Sequence, residues 1–233
     1  MESAAELLPT IPSDQLNKIA RFLEGQGHKE LALEVATDDE HKFDLALALG
    51  QLPIALELAQ KAQADHKWKV VGDKALESWD VRLAAECFTQ AKDLGSLLLI
   101  HSSTGNREGL RALATQAEST GVHNVAFSCL WQLSDIEGCV ALLVKTSRTA
   151  EAALFAQTYK PSLAPAAVSF WKQSLEKEKK GRVSKVLGVP VEDSELFPEW
   201  EEYLRLEEEG GVKPVDTGDE ETVGTPDSPE SVE

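Results

Sequence analysis

WKVVGDKALESWDVRLAAECFTQA, residues 68 to 91, carries the spacing from which the rest of the chain can be read. From Trp68 an aliphatic follows at three residues (Val71), glycine at four (Gly72) and a small residue at seven (Ala75). After a turn come Ala84, Phe88 and Ala91. Apolar and small residues at intervals of three and four lie on one face of a helix, so the stretch predicts two helices joined by a short reversal. The small residues let the two helices approach closely, and the large ones fill the gaps between them. Such a hairpin cannot bury its own apolar face, so it requires further hairpins on either side.

The flanking sequence supplies them. Ser13 is expected to cap a first helix with Asp14 in its first turn, and Leu16, Ile19, Ala20, Phe22 and Leu23 form its stripe. Leu31, Ala32 and Val35 return against it. Thr37-x-x-Glu40 reads as a capping box opening a third helix, and Pro53 stands in the first turn of a fourth, where proline is tolerated. Beyond the focal hairpin the pattern recurs around Leu110–Ala117, Val125–Leu130 and Cys139–Leu143. Ser134-x-x-Glu137 is read as a second box, Ser147 as the next cap before Ala152–Tyr159, and a final helix runs through Val168, Phe170, Trp171 and Leu175. Cutting at alternate turns gives units 12–37, 38–64, 65–93, 94–120, 121–147 and 148–178, of 26, 27, 29, 27, 27 and about 31 residues.

Trp68, Val71, Gly72, Ala75, Ala84, Phe88 and Ala91 together resemble the tetratricopeptide pattern W-x2-L-G-x2-Y followed by A-x3-F. Ala75 replaces the usual aromatic, and Ser96 the usual proline. With near-constant hairpins and no strand-period segment, the expected fold is all-α: a right-handed α-solenoid of about six TPR-like hairpins over residues 12–180. Residues 1–11 are expected to be an extended segment. Residues 181–209 read as a linker and an acidic amphipathic helix starting at Ser194. Residues 210–233, rich in Pro, Gly, Thr, Asp and Glu, read as a disordered acidic tail.

The net charge of −17 is concentrated at one end: residues 191–233 hold 16 acids and 2 bases, leaving 24 acids and 21 bases in the first 190 residues. So nearly neutral a body offers no overall attraction to phosphate, which argues against nucleic acid and against direct lipid binding. No run approaches the roughly 18 apolar residues of a membrane span. The opening MESAAELLPTIPS lacks the basic and apolar regions of a secretory signal, and three cysteines without a C-x-x-C fit a reducing cytosol.

Catalytic and metal chemistry find little support. His28, His41, His66, His101 and His123 are scattered without ligand spacing, and Cys87, Cys129 and Cys139 fall on predicted inner faces. Neither a catalytic residue nor a metal or cofactor site is expected. Four of the five tryptophans (Trp68, Trp79, Trp131 and Trp171) are read as core packing, Trp79 lying at a turn. The acidic helix is the candidate docking element: Leu196, Phe197, Trp200, Tyr203 and Leu204 share a face, with Glu199, Glu201, Glu202 and Glu207 opposite. Docking of that face on the end of the solenoid is preferred over binding a separate partner.

Three stretches go further: LPTIPSDQLNKIARFLEGQGHKELALEVATDDEHKFDLALALGQLPIALELA, the focal WKVVGDKAL, and GLRALATQAESTGVHNVAFSCLWQLSDIEGCVALLVKTSRTAEAALFAQTYKPS. From Leu8 to about Phe197 the chain resembles the α-solenoid region of the coatomer subunits of the COPI vesicle coat. TYKPS and the helix carrying Trp171 look more like the β-prime branch than the α branch. The resemblance implies a non-catalytic scaffold, cytoplasmic and on Golgi and vesicle membranes through the assembled coat. Its implied partners are the coatomer α subunit and other coat subunits, in Golgi-to-ER and intra-Golgi transport, with no cofactor. In that family WD-repeat propellers precede the solenoid and read dilysine cargo tails; no such repeat is visible here, so those residues map to no position. A tetratricopeptide-type receptor for short peptide tails is the alternative reading, but it would require a groove of specific polar residues. The predicted inner faces are mostly Ala and Leu.

Overall fold

The computed structural model describes Pro12 and residues 15–210. The expectations for residues 1–11, for the Ser13 cap and for the tail beyond Gly210 lie outside the described residues. The described chain is helical, and it divides at Asp135/Ile136 into two compact units. That division falls inside the fifth hairpin drawn from sequence.

The first unit contains α1 (Leu16–Gly25), α2 (Lys29–Val35), α3 (Asp39–Ala48), α4 (Leu52–Ala62), α5 (Asp65–Glu77), α6 (Val81–Gln90), α7 (Leu94–Ser103), α8 (Arg107–Ser119) and α9 (His123–Gln132). Each helix packs on its sequence neighbours, and α7 also reaches α9, as expected of stacked hairpins. Alanines make this possible. Ala20, Ala32, Ala46, Ala55, Ala59, Ala75 and Ala84 are wholly buried where helices meet, and Phe43, Leu45, Val71 and Phe88 fill the space they leave. Burying a side chain such as Phe88 contributes roughly 1.5–3 kcal/mol.

Most reversals share one construction. At most of them, though not at the end of α2 with its extended Ala36, a residue one or two positions past the helix is left-handed, and the N–H that follows it commonly returns to a carbonyl five residues earlier, as in Asp80 N–H to Ala75 O at 2.9 Å and Asp93 N–H to Phe88 O at 3.0 Å. That same next residue caps the following helix. Asp80 accepts from Leu83 N–H, Asp93 from Ser96 N–H and Asn106 from Gly109 N–H. At such turns two residues end one helix and start the next, and the helices they join are mostly only 10–13 residues long.

The second unit contains α10 (Ile136–Lys145), α11 (Thr149–Tyr159), α12 (Ala164–Lys177), the short α13 (Gly181–Ser184) and α14 (Trp200–Gly210), with 3-10 turns at Pro161–Leu163 and Ser194–Leu196. α11 packs on α10 and α12 through Ala152, Ala153, Ala156, Ala164 and Ala167, and α13 folds back on α12.

Several local expectations are corrected. Ser134 and Ser147 do not cap helices: both are left-handed, at φ 61° and 63°, the ending position of a reversal, whereas a cap needs extended backbone. Thr37 is not a cap either, because its N–H and hydroxyl both donate to Asn17 Oδ1 at 2.9 Å, and Asp38 caps α3 instead. Trp79 is not core. It occupies the left-handed position at φ 62°, which swings its ring outward to 86% exposure. Phe22, Tyr159 and Phe170, placed on inner stripes by periodicity, are exposed because the alanines beside them make the helix contacts. The acidic helix begins at Trp200 rather than Ser194, since Pro198 interrupts it.

Candidate functional site

The focal hairpin is α5 and α6. Val71, Gly72, Ala75, Ala84 and Phe88 are all buried, while Trp68 and Ala91 are half-buried at its borders. A Cβ on Gly72 would lie 2.8 Å from Phe88 Cε1, so the ring rests directly on the α5 backbone and glycine is what permits it. The signature residues are brought together as a packing contact, with no catalytic geometry among them.

Charged groups tie neighbouring hairpins. Lys67, buried on α5, donates to Glu40 on α3 at 2.6 Å and lies 4.9 Å above the Phe43 ring. Lys69 on α5 donates to Asp93, the cap of α7, at 2.5 Å. Burial pushes Asp93 upward, but the Lys69 bond and the Ser96 N–H and hydroxyl outweigh it and hold the carboxyl below its usual range. Lys69 is correspondingly raised by its bond to Asp93. In the second unit Lys160 donates to Glu137 at 2.6 Å, and that bond lowers Glu137. Asn17, unremarked in the sequence, accepts from Thr37 N–H, Thr37 hydroxyl and Asp38 N–H, and so clamps the turn before α3 to α1. A lone asparagine gives no periodic signal.

Cys87, Cys129 and Cys139 are buried. Burial pushes the Cys87 and Cys129 thiols up to about 11, so at neutral pH neither supplies the thiolate that nucleophilic chemistry needs. Among the described residues no group of histidine, cysteine and carboxylate side chains is arranged to hold a metal. His41 is held by Glu24 at 2.8 Å, across α1 and α3.

The candidate docking helix is engaged within its own unit. Trp200 is buried, with the Phe197 ring edge-on at 6.5 Å, and Leu204 is half-buried. Leu196 and Tyr203 remain exposed, the Tyr203 hydroxyl donating to Glu199 at 2.7 Å. The anchor that sequence reasoning missed comes from the acidic face. Glu207 accepts from Ser162 N–H at 2.7 Å and from Ser162 hydroxyl at 2.6 Å, supplying a carboxylate to the turn that starts α12. These positions are 45 residues apart, so no local pattern reveals them.

Short two-helix repeats, alanine-lined interfaces and shared end-and-cap turns define a TPR-like α-solenoid. Comparison with known proteins makes the assignment specific. Residues 1–172 match the family model of the COPA/B TPR domain, and the chain belongs to that family. It is 44% identical over 207 residues to coatomer subunit beta'-2 of Arabidopsis thaliana, covering 89% of this chain and 22% of that protein. It is 43% identical to coatomer subunit beta'-1 of Oryza sativa subsp. japonica over 89% of this chain and 23% of the relative. To coatomer subunit beta' of Rattus norvegicus it is 41% identical over 88% and 22%. The chain therefore spans about a fifth of the length of these curated relatives.

Proposed function

We propose that this chain is a structural scaffold segment of the COPI vesicle coat, assembling with the coatomer α subunit in Golgi-to-ER and intra-Golgi transport. It acts at the cytoplasmic face of Golgi and vesicle membranes as part of the coat, without cofactor or catalysis. The observation that carries this reading is identity of 41–44% to coatomer beta' proteins across nearly all of the chain. The physical character of the molecule supports it. Stacked hairpins expose long surfaces whose residues are free to meet a large partner, and stable protein interfaces bury about 1,200–2,000 Å² in total. The described helices include none long and apolar enough to cross a membrane, so in this reading contact with the bilayer comes through the coat. Size-exclusion chromatography with light scattering tests the proposal. The chain and the purified α-subunit solenoid should elute as one complex without nucleotide, metal or lipid, and separate elution at micromolar concentrations would refute it.

A further inference from the structure

The second unit contains a cleft of about 190 Å³ between α11, α12 and the segment 186–197. Leu154, Val168, Trp171, Val186 and Phe197 line it, and Gln157 brings the one polar side chain. Sites for cofactors or drug-sized ligands are typically about 300–1,000 Å³, so this cleft suits one large apolar side chain. It is held open by the fold. Gly188 lies so close to the 196–197 turn that a Cβ there would meet Leu196 at 2.9 Å and Phe197 at 3.0 Å, and Asp193 accepts from Val189 N–H at 2.8 Å.

None of the lining residues is charged, but the chain running from Trp171 to Val186, between two of the cleft's walls, forms a strongly basic lip outside it although the protein as a whole is acidic. Residues 172–185 carry Lys172, Lys177, Lys179, Lys180, Arg182 and Lys185 against Glu176 and Glu178. Both acids are engaged, Glu178 with Lys180 at 2.7 Å and Glu176 with the Ser184 hydroxyl at 3.2 Å. Among the described residues no carboxylate pairs with Lys177, Lys179, Arg182 or Lys185, all of them exposed. Sequence and turn geometry join this lip to the cleft. Trp171 immediately precedes Lys172, Val186 immediately follows Lys185, and the left-handed Lys179 folds α13 back on α12. The segment on the other side carries Glu192, Glu195 and Glu199.

We propose that this cleft docks an acidic peptide segment of a partner protein. One large apolar side chain enters the cleft, and the acids on one side of that anchor lie along the Lys177–Lys185 lip. Concavity favours a peptide over a bilayer, which cannot enter. Glu192, Glu195 and Glu199 disfavour a broad anionic surface and require the peptide's acids to be confined to one flank. The site is independent of the coat assignment, because it rests on the cleft and its charges alone.

Fluorescence anisotropy with the full chain tests it. The probes are fluorescein-labelled Gly-Ser-Phe-Leu-Asp-Glu-Asp-Glu and the same peptide in reversed order, with no coat subunit present. At least one should bind saturably, more weakly as salt rises, and lose binding when its Phe-Leu pair becomes Ala-Ala. Arg182→Glu with Lys185→Glu should weaken it at least tenfold, and Val186→Asp at least fivefold. These positions are exposed, and an unchanged circular dichroism spectrum verifies folding. Failure of both peptides to saturate, or equal affinity in the variants, overturns the proposal. Capture of phosphatidylserine vesicles without peptide binding makes the lip a lipid contact and also overturns it. A more than tenfold gain in peptide affinity on truncation after Gly210 makes the chain's own acidic tail the occupant, which overturns docking of a partner.

Discussion

Gly72→Ala is the substitution that most sharply tests the packing of the focal hairpin. A methyl there would sit 2.8, 3.0 and 3.1 Å from Phe88 Cε1, Cδ1 and Cζ, and Phe88 is completely buried, so its ring has no room to withdraw. Overpacking of this kind costs roughly 1–3 kcal/mol. Alanine's better helix propensity returns about 0.8–1 kcal/mol, so the net loss should be about 1 kcal/mol, a fall in Tm of about 4 °C for a unit of this size. Gly25→Ala provides the control: that glycine ends α1 with nothing within 4 Å of the added methyl, so only the propensity gain should appear. Thermal and urea unfolding of both variants should show shifts of opposite sign. In a Phe88→Leu background the Gly72→Ala penalty should shrink, with a coupling of about 0.5–3 kcal/mol. Equal shifts for the two glycine variants, or no coupling to Phe88, would refute the reasoning.

Trp79→Gly should stabilise the first unit by up to about 1 kcal/mol in urea unfolding, because glycine accepts the left-handed backbone without strain and the exposed ring leaves no cavity. Glu40→Ala should destabilise by about 1–3 kcal/mol, since it strands the buried Lys67 ammonium, whereas Lys67→Met should be nearly neutral because the stem is replaced and the charge removed; chemical denaturation of both separates the two cases. The thiols of Cys87 and Cys129, raised by burial to about 11 from 9.0, should stay unreactive to a thiol reagent at pH 8 until the protein unfolds. Their contribution to stability is fully present below pH 9, where both states are protonated. It falls between about pH 9 and 11, where only the unfolded thiols ionise, and a pH series of melting curves should show that decline lessened in Cys87→Ala.

The helices and their pairing were legible because small and large residues recur at helical spacing, and the seven-residue signature from Trp68 to Ala91 lands on buried or half-buried positions. The turns were misread by one residue. Left-handed glycines are visible in sequence, but at Trp79, Ser134 and Ser147 the same conformation is imposed on ordinary residues by the two helices it joins. The usable signal was the residue that follows: Asp80, Asp93 and Asn106 each start a helix immediately after such a position. The Glu207–Ser162 anchor and the apolar cleft beside the basic run were out of reach for another reason. Both depend on segments distant in sequence, and neither glutamates on an exposed helix nor valines in a linker reveal which chain segment they will meet.

Hydrogen exchange of the full chain, with and without the α-subunit solenoid, tests the scaffold account most directly. Slowed exchange should appear across consecutive helices of the solenoid when the α subunit is added, and a dilysine peptide at the same concentration should change nothing. No protection by the α subunit together with protection by the dilysine peptide would contradict the account.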